Sequence, residues 1–213
     1  MKNKVASTFI IVSIFTIAPL VLRPVLMLNV EWIIVFISLI ILFFTQPALK
    51  FSEVKTKSSM DKYSILLILL MCGISTTAPI IEWAYCRNGQ STKNLFFTIG
   101  LLLLILGFII RTTAIQMLGI HFTATVQITN KHKLITHGLY KFIRHPSYLG
   151  AFLTFVGISF VLESWISMLV ATVSMMIAYC VRIRVEEKTL LNYFGSDYAT
   201  YQKKTKKMFP YIW

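Results

Sequence analysis

The stretch "HGLYKFIRHPSYLGAFLTFVGISFVLESW", residues 137–165, decides the architecture. It opens on a dense polar cluster, runs into an almost wholly apolar segment over residues 148–162, and ends in a turn, "LESW", too tight to hold a domain. A second apolar run, residues 165–181, follows at once. Proline is favoured at the first helical position because its missing N–H would be unpaired there anyway. Pro146 therefore marks a helix start, with His145 on its cap side. Two apolar helices joined by so short a turn double back, which brings the residues before Pro146 and those after Val181 to the same side.

Working outward, the whole chain is apolar. Of its 213 residues 56% are hydrophobic and 14% charged, and the mean hydropathy of +0.72 exceeds what a water-soluble domain needs to fill one core. Six apolar runs, residues 5–22, 30–44, 63–81, 95–110, 148–162 and 165–181, predict an all-α integral membrane protein of about six transmembrane helices. Several runs fall short of the roughly 20 residues that span a bilayer upright, and flanking aromatic and polar residues extend them into the interface. Lys2 and Lys4 ahead of the first run look like the basic start of a signal peptide. No small-residue cleavage site follows in "APLVLRPVL", so a retained helix is expected.

Lys and Arg concentrate in cytoplasmic loops. With six spans, 18 of the 21 basic residues fall on one side, and only Arg23, Arg87 and Lys93 on the other. Both termini are therefore expected in the cytoplasm. The net charge of +13 is then explained by lysines beside anionic headgroups, with no nucleic acid partner. Small size and lysine-rich composition suggest a prokaryotic inner or plasma membrane. Cys72, Cys86 and Cys180 are scattered without metal or redox spacing, and no metal site is expected.

The chain divides into N-terminal membrane helices, residues 1–110, and a chemical core, residues 111–213, made of a connector, the helical hairpin and the tail. Gly100 and Gly107 are seven apart, as are Gly150 and Gly157, close to two helical turns. Each pair predicts a smooth stripe on which another helix packs closely.

Three elements carry chemistry. The first-turn amides after Pro146, beside Arg144 and His145, can take a carboxylate or phosphate, or those residues are interfacial anchors. In "VRIRVEEKTL", residues 181–190, Arg182 and Glu186 share a helix face while Glu187 points elsewhere. A plain ion pair is the simple reading, yet an exposed pair contributes under about 1 kcal/mol, and a carboxylate at the membrane boundary is costly without a role. In "VQITNKHKLITHGLY", residues 126–140, Gln127, His132 and Tyr140 interleave with Leu134 and Ile135. That pattern suits a ligand pocket or a re-entrant loop. Dinucleotide, phosphate-loop, zinc and Ser/His/Asp motifs are missing from the sequence.

Taken in order, "HKLI", "GLY", "RHPSY", a hairpin, an arginine ahead of Glu186–Glu187, "YFGSDYATYQKKT" and a closing proline resemble the isoprenylcysteine carboxyl methyltransferase family of integral-membrane enzymes, related in pattern to the phospholipid methyltransferases. The resemblance covers residues 119–210. Ile135 stands where valine is commoner, and a simple Glu–Glu pair replaces a longer acidic run. The resemblance implies methyl transfer from S-adenosylmethionine, held in a cytoplasmic pocket built from the connector and the tail. Gln127, His132, Lys133, Leu134, Ile135, Tyr140, His145, Pro146, Ser147, Tyr148 and Glu186 would bind the cofactor, and Arg144 and Arg182 would face the acceptor. The acceptor would be a lipophilic small molecule or lipidated group reached from the membrane lipids, by resemblance the carboxylate of an isoprenylcysteine. A carboxylate is already a nucleophile, so alignment matters more than proton transfer. The alternatives are an NADPH-dependent sterol-type reductase, which shares an Arg-His-Pro-like stretch, and a non-enzymatic membrane protein.

Overall fold

In the computed structural model, residues 2–46, 59–122 and 133–210 are described. Each apolar run becomes a helix: α1 (Lys2–Ile17), α2 (Val30–Phe44), α3 (Ser59–Ile81), α4 (Leu95–Leu118), α5 (Pro146–Val161) and α6 (Trp165–Phe194). A short polar helix, α7 (Ser196–Lys204), follows. Three segments, Asp61–Cys86, Leu95–Leu118 and Trp165–Phe194, are long and apolar enough to cross a membrane, and Ser7–Leu20, Val30–Phe44 and Pro146–Val161 are shorter apolar helices. Strands are absent among the described residues; a single parallel bridge pairs Ile143 with Lys206.

The outward faces are greasy. Ile10, Leu66, Leu102, Ile109, Ile166 and Leu169 are all exposed. On a soluble monomer such contiguous apolar surface would drive association; on these helices it is the lipid-facing belt of a membrane protein. The interior is built from the opposite faces, with Leu39, Ile80, Phe155, Ile158, Met175 and Ile183 buried.

The two glycine stripes pack against each other. A Cβ on Gly107 would lie 2.7 Å from the Gly150 carbonyl oxygen, and one on Gly157 would lie 3.0 Å from that of Gly100. Without side chains at these four positions, the backbones of α4 and α5 touch, as the seven-residue spacing predicts.

Two helices outrun their apolar stretches. Arg111, expected to open a non-spanning connector, instead lies inside α4 and is 2% exposed. The helix continues past it because Thr45 Oγ1, 2.9 Å from Nε, and the Ser147 carbonyl, 2.9 Å from Nη1, accept the guanidinium's hydrogen bonds. The last turns of α6 carry Arg182, Glu186 and Glu187 beyond the apolar run on one unbroken helix. Its 30 residues make a rod about 45 Å long, more than the hydrocarbon core of a bilayer requires.

The three basic residues assigned to the minority side do share one end of the bundle. Arg23 donates to the Ala84 carbonyl and to Asn88 Oδ1, Arg87 lies 2.8 Å from Glu163, and Lys93 lies 3.9 Å from Glu31. Glu163, in the hairpin turn, is 2% exposed and also accepts from the Thr92 amide and hydroxyl. Glu82 caps α6 from outside it, accepting from the Ser167 amide at 2.7 Å.

Candidate functional site

The opposite end of the bundle is where the start of α5, the end of α6 and the tail converge. Pro146 occupies the first turn of α5, and His145 precedes it in a non-helical conformation. The tail is strapped alongside: the Arg144 amide donates to the Lys206 carbonyl at 2.8 Å and the His145 amide to that of Lys207 at 2.9 Å. This fixes both side chains by backbone bonds before any side-chain contact is made.

Arg144 is a buried clamp. Its Nε lies 2.6 Å from Glu187 Oε1, and Nη1 donates to the carbonyls of Gln202 and Thr205. Glu187 also meets His145 Nε2 at 3.2 Å and accepts from Gln202 Nε2 at 3.3 Å. One carboxylate thus joins α5, α6 and α7. Its neighbour behaves differently. Glu186 accepts from the Tyr148 hydroxyl at 2.8 Å and keeps 29% of its side chain exposed. The rings of His145, Tyr148 and Tyr179 form a stack, with centroids 5.6 Å and 5.0 Å apart.

Arg182 does not settle on Glu186, the partner its spacing suggests. Its Nη1 lies 2.6 Å from Asp61 Oδ1 and donates to Ser64 Oγ at 3.0 Å, both on α3, and it also interacts with the Tyr148 hydroxyl. Arg111 completes the set. It has no carboxylate partner among the described residues, and its Nη2 is buried without a hydrogen bond. A buried guanidinium without a counter-anion is costly to fold around, and an anionic ligand relieves that cost.

The remaining expected residues separate. Gln127 and His132 lie outside the described residues. Lys133 is exposed, and Leu134 and Ile135 are half-buried in irregular backbone. Tyr140 is buried: its hydroxyl donates to the Ala114 carbonyl at 3.3 Å, and its own carbonyl accepts from Tyr201 at 2.7 Å. Ser147 contributes through its carbonyl to Arg111. The sequence reading missed Asp61, Arg111, Glu187 and Tyr198. Tyr198, on α7, is 1% exposed with an unpartnered hydroxyl. Burial, then the charges of Glu187 and Glu186, pushes that hydroxyl well above its ordinary pKa, so it stays a neutral donor.

Fold and site together define a helical membrane protein whose polar site, rich in arginine and carboxylate, closes one end of an apolar bundle. The family model described as phospholipid methyltransferase matches residues 95–197. Protein-S-isoprenylcysteine O-methyltransferase B of Arabidopsis thaliana is 36% identical over 163 residues, covering 76% of this chain and 81% of the relative. The protein-S-isoprenylcysteine O-methyltransferase of Tribolium castaneum is 33% identical over 64% of this chain, and the match spans only 52% of that relative. For the probable enzyme of Oryza sativa subsp. indica, at 35% identity, it spans 61%. A solved structure of a eukaryotic intramembrane Ras methyltransferase, isoprenylcysteine carboxyl methyltransferase, superposes with a TM-score of 0.61 at 25% identity, covering 98% of this chain and 74% of that one. The chain belongs to the isoprenylcysteine carboxyl methyltransferase family.

Proposed function

We propose that this protein transfers a methyl group from S-adenosylmethionine to the carboxylate of an isoprenylcysteine-like acceptor at the cytoplasmic face of the membrane. All six apolar helices then cross the bilayer and both termini are cytoplasmic. The observation that carries the reading is the buried Arg111, which holds the Ser147 carbonyl at the start of α5 and whose Nη2 has no hydrogen bond among the described residues. Buried, directed guanidinium groups are what a carboxylate entering from lipid requires.

The residues present fit the cofactor. Glu186 is a partly exposed carboxylate fixed at one oxygen by Tyr148, and Tyr198 offers a buried donor with no partner. Glu186, Tyr148, His145, Pro146, Ser147 and Tyr140, with Gln127, His132, Lys133, Leu134 and Ile135 of the connector, would hold it. When bound, it supplies an electrophilic methyl group on a sulfonium. Arg182 and Arg111 orient the acceptor oxygen, and the apolar walls of α4 and α5 keep water away. No general base is needed, because the attacking oxygen already carries its electron pair. Arg144, whose Nε meets Glu187 and whose Nη1 holds the Gln202 and Thr205 carbonyls, acts by holding the start of α5 and the tail in place.

The test is calorimetric titration of the detergent-purified protein with S-adenosylmethionine, S-adenosylhomocysteine and NADPH, alongside Glu186→Ala. Saturable binding of both sulfur nucleotides, lost in the variant, supports the reading. Binding of NADPH alone moves the protein to the reductases, and binding of none by folded protein leaves a non-enzymatic role.

A further inference from the structure

Arg182 stands four residues ahead of Glu186 on α6, the spacing at which a cation and a carboxylate ordinarily meet. The two are within electrostatic reach of each other. The guanidinium nevertheless turns to α3, where Asp61 Oδ1 lies at 2.6 Å and Ser64 Oγ at 3.0 Å. Ser64 donates in turn to the Asp61 carbonyl at 2.8 Å, which fixes the acceptor geometry on that helix. Both charged side chains are 5% exposed, so this is a desolvated pair rather than a surface contact. Glu186 instead accepts from the Tyr148 hydroxyl and keeps 29% exposure. Asp61 lies in the half of the chain ahead of the matched region, residues 95–197.

We propose that Asp61 is a positioning residue that holds Arg182 away from Glu186, so that the guanidinium is kept for an anionic acceptor and the carboxylate for the cofactor. The inference rests on the methyltransferase reading above. Its physical basis is competition for one cation. A buried guanidinium takes whichever carboxylate is nearest, because leaving it unpaired is costly. Remove the Asp61 charge and Glu186, one helical turn along the same face and already within electrostatic reach, competes for the guanidinium. The ion pair that would then form is local to α6 and takes both groups out of the site at once. Asp61 thus acts on the two ligands jointly through Arg182.

The experiment uses the full chain in detergent: Asp61→Asn, Asp61→Glu and Ser64→Ala, with three readouts each. These are the Kd for S-adenosylmethionine by calorimetry, KM and kcat for methylation of an N-acetylated farnesylcysteine, and Tm. Asp61→Asn is expected to raise both the cofactor Kd and the acceptor KM by about tenfold, less than the loss of a charge that meets the ligand itself. Asp61→Glu restores both toward wild type, and Ser64→Ala, which keeps the charge, raises the acceptor KM less. A folded Asp61→Asn protein with unchanged Kd and KM overturns the proposal, as does a fall in Tm alone. If Asp61→Asn does not fold, an unchanged acceptor KM in folded Ser64→Ala overturns it equally. Failure of the wild-type protein to bind S-adenosylmethionine sinks the methyltransferase reading instead, which separates the two.

Discussion

Gly107 on α4 and Gly150 on α5 face each other across a backbone contact: a Cβ on either would come within 2.7 Å of the other's carbonyl oxygen. Neither neighbour is a flexible side-chain end that could swing aside. Alanine at either position must push two helices apart, and overpacking of this kind costs about 1–3 kcal/mol. Gly119 is the contrast, since open space surrounds its Cβ position and only its φ of +52° resists a side chain. Thermal melts in detergent should show Gly107→Ala and Gly150→Ala well below wild type, with Gly119→Ala nearer to it. Wild-type melting of Gly150→Ala would mean the stripes are not in contact.

Arg144 and Glu187 form the clamp on which the tail depends, with side chains only 7% and 11% exposed. Removing one member leaves the other buried and charged, a loss of about 3 kcal/mol or more. Because Arg144 also holds the carbonyls of Gln202 and Thr205, the loss should fall first on α7. Limited trypsin digestion of Glu187→Gln should cut after Lys203 or Lys204 far faster than in wild type, with the α4–α5 pair still protected. Equal cleavage rates would show the tail to be held elsewhere.

Much of this was legible in the sequence because it is written locally. Hydropathy located the six helices, Pro146 fixed the start of α5, and the seven-residue glycine spacing announced the α4–α5 contact. The misreadings all involve groups whose partners are distant. Arg111 reads as the end of an apolar run, since nothing nearby signals that Thr45 and Ser147 will accept its hydrogen bonds. Arg182 and Asp61 are separated by 121 positions, while Glu186 is only four residues away. Spacing chose the local partner and burial chose the distant one. The two adjacent glutamates look equivalent in sequence, and only the clamp distinguishes Glu187 from Glu186.

The proposed orientation can be read with one thiol. Cys86 is exposed beside Arg87 at the far end of the bundle, whereas Cys72 and Cys180 are half-buried. With both termini cytoplasmic, Cys86 faces away from the cytoplasm. A membrane-impermeant maleimide added to intact cells, with the outer membrane permeabilised where there is one, should label wild type but not Cys86→Ser. Labelling confined to inverted vesicles would turn the molecule over and place the Arg144–Glu187 site on the outer face.

Arg111 separates a structural from a functional account of the site most sharply. A buried cation held by two neutral acceptors, with one nitrogen unpartnered, should cost folding energy. Replacing buried charge with an apolar side chain of similar volume is often neutral or stabilising. Arg111→Met is therefore expected to melt at or above the wild-type temperature. If the guanidinium is there for the acceptor carboxylate, the same variant should lose methylation, with kcat/KM down by about a hundredfold or more, as for loss of a buried charge partner. S-adenosylmethionine binding should change far less, because Arg111 meets the assigned cofactor groups only at the Ser147 carbonyl. The acceptor arm is decided by the pairing of two measurements on one protein. Lower stability with intact turnover would make Arg111 a strut between α2, α4 and α5, whereas intact stability with lost turnover makes it the anion site of the bundle.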